Sequence, residues 1–279
     1  MKKHMVWVAV FLWAASLAAA EDAPVADSSQ TPATETTDAY STWMAEGQKA
    51  VAKRSVTALK KGADAFEKAL QARPGDVEAS LAAADAWIRL MRVQSGGAHL
   101  RFDGPNDTPP HRRIWKKWSP RALELTRYCL AQRPKDIWAR ALYAEAYMYK
   151  SASSGIIDAI LDGAAKEYLN NADQLIKTTP PYDLASGHVY KASFYTIAPW
   201  PISDADKSIA HARKAAQLFP KSVRNNYVLG VVAYRQENME EAKSALQKSL
   251  AGRCTAPSEK DLCGWFRREA RRALDSLQK

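Results

Sequence analysis

Apolar residues recur three and four apart along most of this chain, the spacing of helices with one buried face. The runs are short, and each is closed in the same way. GADAFEKALQARPGD, RALELTRYCLAQRPKD, AKEYLNNADQLIKTTPP and DKSIAHARKAAQLFPKS end at Pro74, Pro134, Pro180 and Pro220, where proline cannot continue a helix. After each comes a more apolar helix with an aromatic at similar depth: Trp87, Tyr147, Tyr195 and Tyr234. A single helical hairpin of this kind cannot bury its own apolar face and must stack on neighbours. The pattern predicts an all-α chain built from paired helices.

Residues 223–250, VRNNYVLGVVAYRQENMEEAKSALQKSL, are the most regular unit. Two antiparallel helices approach closely only where small residues meet, so Gly230 and Ala242 are expected at the crossing, with Leu229 and Leu246 beside it. Leu229-Gly230…Ala242…Leu246 resembles the tetratricopeptide repeat (TPR), a helix–turn–helix unit of 34 residues. The resemblance covers about residues 41–277 and is weaker in the earlier units. It implies a TPR-like helical-hairpin solenoid.

The closing positions Pro74, Pro134, Pro180, Pro220 and Cys254 lie 60, 46, 40 and 34 residues apart. The first three units therefore carry insertions. These fall at about 93–118, 150–163 and 196–203, each between the first and second helix of its unit. In a solenoid one slot projects from one edge, and such insertions often form a binding face. Residues 42–53 supply an opening helix. Pro257-Ser258-Glu259 opens a closing one, with Ser258 and Asp261 at capping-box spacing. Trp265, Ala270, Ala273, Leu274 and Leu277 are expected to face inward, and Arg267, Arg268, Arg271 and Arg272 outward, as in a C-terminal capping helix. About five hairpins and a cap are expected.

A narrower resemblance rests on SASSGIIDAILDGAAKEYL and PPYDLASGHVYKASFYTIAPWPISDADKSIAHARKAAQLFP. This stretch is similar to the periplasmic T component associated with TRAP transporters. The resemblance implies a role beside a substrate-binding protein in solute uptake, handling small organic ligands. No cysteine follows the expected cleavage site, which departs from the lipid-anchored members.

The first 20 residues read as a signal peptide. Lys2 and Lys3 precede an apolar run that closes on Ala18-Ala19-Ala20, giving cleavage after Ala20 and export to a periplasm. Residues 21–40 are rich in Ala, Pro, Ser and Thr and read as a disordered linker. Residues 41–279 are left for the solenoid, with no stable membrane span once the signal is removed. The formal charge is +10 for the full chain. This fits acidic partners such as an anionic protein, lipid headgroups or cell-wall polymers, or solubility alone; nucleic acid is not expected for an exported chain. Of three cysteines, Cys129 is expected as a buried thiol, and Cys254 and Cys263 as a disulfide across a short loop.

Candidate chemistry is sparse. His99, His111, His188 and His211 have no second histidine or cysteine at metal-ligand spacing, and neither a nucleophile elbow nor a phosphate-binding glycine loop is present. Asp158 and Asp162 share a helix face and read as solvated carboxylates. No catalytic set, metal or cofactor is expected. In the long insertion Trp115 and Trp118 bracket Lys116 and Lys117, with Arg112 and Arg113 just before. The set reads either as a patch for an anionic ligand with apolar parts, or as aromatic anchors with solvated cations. Tyr182 and Trp200, beside prolines at helix ends, are expected at the surface. The sequence thus points to an exported scaffold that binds a protein partner through its groove and insertion edge, a periplasmic substrate-binding protein being one such partner. The alternative is an accessory of a TRAP-type uptake system, and the oligomeric state is left open.

Overall fold

The computed structural model describes residues 33–97, 100–178 and 181–278, with side chains from residue 39 onward. The expected signal peptide, most of the linker, His99 and Pro180 lie outside the described residues. The described residues from Thr34 onward make one compact unit.

Among the described residues, five antiparallel hairpins follow one another. They are α1 (Ala33–Val51) with α2 (Val56–Ala72), α3 (Val77–Ser95) with α4 (Pro109–Gln132), and α5 (Ile137–Ala152) with α7 (Ala165–Ile176). Then come α8 (Ser186–Ile197) with α9 (Ala205–Leu218), and α10 (Val223–Arg235) with α11 (Met239–Ala251). A final helix, α12 (Pro257–Ser276), completes the chain. Helix α1 begins at Ala33, nine residues before the expected first helix, so the linker assigned to 21–40 is helical over its last part.

The prolines are one half of a repeated junction. Two residues after Pro74, Pro134 and Pro220 stand Asp76, Asp136 and Ser222, each accepting a hydrogen bond from the backbone N–H three residues on. Proline stops one helix and the capping oxygen starts the next. The junction before α8 departs from this rule. There Asp183, Leu184 and Ala185 all have positive φ, at 43°, 52° and 64°. Arg224 donates to the Asp183 and Leu184 carbonyls, and the Asn225 amide donates to Leu184. Side chains from a later hairpin thus hold this strained turn.

Gly230 lies where α10 and α11 cross. A Cβ there would sit 2.6 Å from Leu246 Cγ, and Ala242 and Leu246 are fully buried beside it. The expected crossing is present, with Leu246 packed directly over the glycine. All three insertions fall between the helices of a pair, as the spacing predicts. Their form differs. The first is a short antiparallel hairpin of β1 (Leu100–Arg101) and β2 (Gly104–Pro105), followed by two added turns at the start of α4. The second is a four-residue helix α6 (Ile156–Ala159) running into a π-helical turn, Ile160–Ala164. The third is the loop before α9, with a cis Trp200–Pro201 peptide.

The buried apolar residues form two clusters. One spans α2 to α5 and reaches Phe194 of α8; the other joins α8 to α12. Leu100 of the inserted β-hairpin belongs to the second cluster, and the Tyr227 hydroxyl donates to its carbonyl at 3.4 Å. Phe102 meets Tyr234 edge-on, and Arg101 and Arg272 reach Glu269 and Asp103. The insertion of the second hairpin is therefore clamped to the last hairpin and α12.

Candidate functional site

The closing helix does more than cap an end. Helix α12 packs on α10 and α11 and also on α3, near the other end of the solenoid. Asp261, with its side chain fully buried, joins the two ends. It accepts from Arg54 at 2.5 Å, from Arg89 at 2.9 and 3.1 Å, and from Arg92 at 3.1 Å. The capping-box role expected for Ser258 and Asp261 is corrected by this arrangement. The N-cap is Ala256, followed by Pro257. Ser258 donates to Asp183, and Asp261 faces three arginines of the first hairpins. Phe266, absent from the expected inward set, is buried, while Trp265 is half-buried against it. The bond between Cys254 and Cys263, with Cα atoms 5.9 Å apart, ties the preceding loop to the first turns of α12. Cys129 is a buried free thiol whose pKa burial pushes up to about 11, so it is not a nucleophile at neutral pH.

Closing the solenoid on itself leaves a central cavity of about 150 Å³ that is partly open to solvent. Its walls come from hairpins distant in sequence: α5 and α7, α8, α10, α12 and the inserted Leu100. The second insertion supplies one side, with Ile156 and Ile160 turned inward and buried. Leu161, on its outer face, is 65% exposed. Gly163, at φ 90°, breaks the helix there, and a Cβ on it would meet open space. The conformation rather than crowding accounts for glycine at that position.

Most of the lining is apolar or aromatic, with ionic groups confined to two places. At one, Arg92 bridges Glu145 (2.9 and 2.5 Å) and Asp261. Burial alone would lower the Arg92 pKa, but Glu145 beside it holds it well above the usual value. Burial raises the nearby Asp85 carboxyl despite the pull of Arg89 and Arg92. At the other, Arg224 is held by Asp183 at 2.7 Å and by Ser258 at 2.9 Å. Between them stand Tyr168 and Tyr190, ring centroids 5.8 Å apart. Burial raises both phenols above their ordinary range, so both are neutral. Sequence reading singles out none of Tyr168, Arg92, Glu145 and Arg224. They come together where hairpins meet in the folded chain.

The residues singled out from sequence do not form one site. Trp115, Lys116, Lys117 and Trp118 lie on α4, not in a loop. Trp115 is fully buried against Tyr149, ring centroids 5.6 Å apart, and so is corrected from binding rim to core. Trp118 stacks on Trp87 at 4.7 Å, with Lys60 and Lys117 over the pair. Arg112 donates to the carbonyls of Asp107 and Ser154, while the Asp107 carboxylate accepts from the Ile156 N–H. It ties the first insertion to the second. Arg113, Lys116 and Lys117 are exposed. Tyr182, expected at the surface, is half-buried, its phenol pKa raised by burial and by Asp183. Trp200 is 88% exposed on the loop before α9, as expected.

Outside the cavity, His188 and His211 face each other with Nδ1 atoms 2.8 Å apart. Burial lowers both pKa values, that of His211 to about 4. Among the described residues no group of three or more His, Cys, Asp or Glu side chains could hold a metal ion, and no helix is long and apolar enough to cross a membrane.

No protein-family model matches the chain, and no curated protein matches it. Solved structures do. A thermophilic TPR protein from Thermus thermophilus, TTC0263, superposes with a TM-score of 0.54 at 18% identity, covering 82% of this chain and 98% of the other. The MamA protein aligns at 15% identity and a TM-score of 0.43, covering 80% of this chain and 93% of its own. At such identities the likeness is one of fold: the chain has an all-α, TPR-like fold.

Proposed function

We propose that this protein is a non-enzymatic binding protein whose ring-enclosed cavity holds a small, largely apolar molecule. The observation that carries the reading is the cavity itself, with apolar walls assembled from five separate parts of the chain around a few polar groups. Concave, mostly apolar pockets with a few placed polar groups are the usual form of a small-molecule site. An open groove with exposed aromatic and basic rims would favour a protein segment as ligand. Here the space between α3 and α12 is bridged by Asp261. The chain is exported to the periplasm in this reading and works beside a solute uptake system of the TRAP type, where an enclosed carrier of small organic molecules has a use.

The outer edge supports a second reading, a partner protein docked on the insertions. Trp200 and Leu161, both on insertions, are the two most exposed large apolar residues described, at 88% and 65%. The two readings are compatible, since one uses the interior and the other the rim.

The ligand reading is tested with N-phenyl-1-naphthylamine, an uncharged dye that fluoresces in apolar surroundings. The full mature chain is expected to bind it at a single site. Ser193→Trp, which fills the cavity from α8, should abolish the signal while leaving helicity unchanged. A signal that survives this substitution places the dye elsewhere and removes the support for the cavity.

A further inference from the structure

The cavity is lined by ions that have no charge to offer a guest. Arg92 gives Nε and one terminal nitrogen to Glu145, and the other to Asp261. Asp261 also takes Arg89 and Arg54, and Asp85 lies 3.5 Å from Arg89. Three guanidinium groups thus face three carboxylates. On the other side Arg224 is saturated in the same way. Its Nε donates to Asn225, one terminal nitrogen to Asp183 and Ser258, and the other to the carbonyls of Asp183 and Leu184.

A carboxylate or sulfonate entering this space would either stay unpaired or detach Glu145, Asp261 or Asp183 from its arginine. Either result leaves an uncompensated charge in a low-dielectric interior, which is strongly unfavourable. Detaching Asp261 or Asp183 would also loosen the ring closure or the strained turn before α8. An ammonium group meets the same obstacle with the signs reversed.

Uncharged hydrogen-bonding groups are available instead. Tyr168 and Tyr190 line the wall, and among the described residues neither hydroxyl forms a hydrogen bond. Ser193, one turn beyond Tyr190 on α8, also lines the cavity. These groups can donate to or accept from a guest without disturbing an ion pair.

We infer that the cavity selects uncharged guests: aliphatic or aromatic molecules carrying a hydroxyl or carbonyl that meets Tyr168 and Tyr190, in preference to the corresponding acids. This rests on the reading of the cavity as a ligand site and adds the class of ligand.

The test is displacement of bound N-phenyl-1-naphthylamine from the full mature chain at pH 8 by a matched pair, 1-dodecanol and dodecanoate. Dodecanol is expected to displace the dye at concentrations at least about tenfold lower than dodecanoate. The double variant Tyr168→Phe, Tyr190→Phe should narrow that ratio by weakening dodecanol, with the dye still bound. Dodecanoate displacing as well as dodecanol, or better, overturns the inference while leaving the cavity reading in place. Absence of dye binding, or dye binding untouched by Ser193→Trp, overturns both.

Discussion

At the scale of single residues, the side chains with unusual environments lie where hairpins meet. His188 on α8 and His211 on α9 illustrate this. With Nδ1 atoms 2.8 Å apart, one ring carries the shared proton and the other accepts it. Protonating both sets two N–H groups against each other. Lys191 of α8 and Lys214 of α9 add positive charge, Asp173 of α7 offsets part of it, and Tyr195 stacks on His211. Both folded-state pKa values lie below the ordinary 6.5, that of His211 at about 4. The unfolded chain therefore binds protons first as pH falls. Stability from this pair is intact above about pH 6.5 and is lost progressively towards pH 4. Thermal melting between these limits should fall more steeply for the parent chain than for His211→Gln, which keeps a hydrogen-bonding partner for His188 but does not titrate. Equal slopes would remove the pair from the acid response. None of this is readable from sequence, because His188 and His211 are 23 residues apart. Gly230 is the contrary case: a small residue at a fixed offset from Ala242 and Leu246 has one reason to be there, and the crossing it marks is legible.

At the scale of elements, insertions that the repeat spacing locates prove to have different jobs. The first reads from sequence either as a binding patch or as an anchor, and α4 separates the two within four residues. Trp115 belongs to the core, and Lys116 and Lys117 to the surface. Trp115→Ala should therefore cost about 3–5 kcal/mol in urea unfolding, the range for deleting a buried tryptophan. Lys116→Ser with Lys117→Ser should stay within about 0.5 kcal/mol per substitution, as surface changes do. Equal effects from both would contradict the placement of the helix face. The sequence could not decide this, because two tryptophans three apart share a helix face whichever way that face turns. Only the packing of α4 on α3 and α5 orients it. The second insertion shows the same limit. Its alternation of Ile156 and Ile160 with Ile157 and Leu161 fits a two-faced segment, yet what the inner face covers depends on hairpins far along the chain. The short loop closed by Cys254–Cys263 is readable from spacing, and the chain-entropy estimate for a loop of that size is about 2–3 kcal/mol.

At the scale of the whole molecule, the decisive event is ring closure through Asp261. One buried carboxylate serves Arg54, Arg89 and Arg92 from the first hairpins while standing on the last helix. Asp261→Asn leaves those arginines short of a counter-charge, and a loss of about 3–5 kcal/mol is expected, as for a buried ion pair broken from one side. Urea unfolding measures it. A loss under about 1 kcal/mol would mean that apolar contacts of α12 and the inserted β-hairpin hold the ring without the ions.

The sequence by itself determined the helices, their pairing, the order of five hairpins and a final helix, and the slots of the three insertions. Those features depend on local signals: apolar periodicity, proline stops, capping oxygens two residues later, and small residues where paired helices cross. Tertiary structure alone decided that the solenoid closes, that the first insertion acts as a clamp, and that a cavity with mutually neutralised ions lies inside. Such features arise from contacts between residues more than a hundred positions apart, such as Arg89 with Asp261 and Leu100 with Tyr227. A repeat period constrains each hairpin against its neighbour. It does not carry the small rotations that accumulate along the array and bring α12 back to α3.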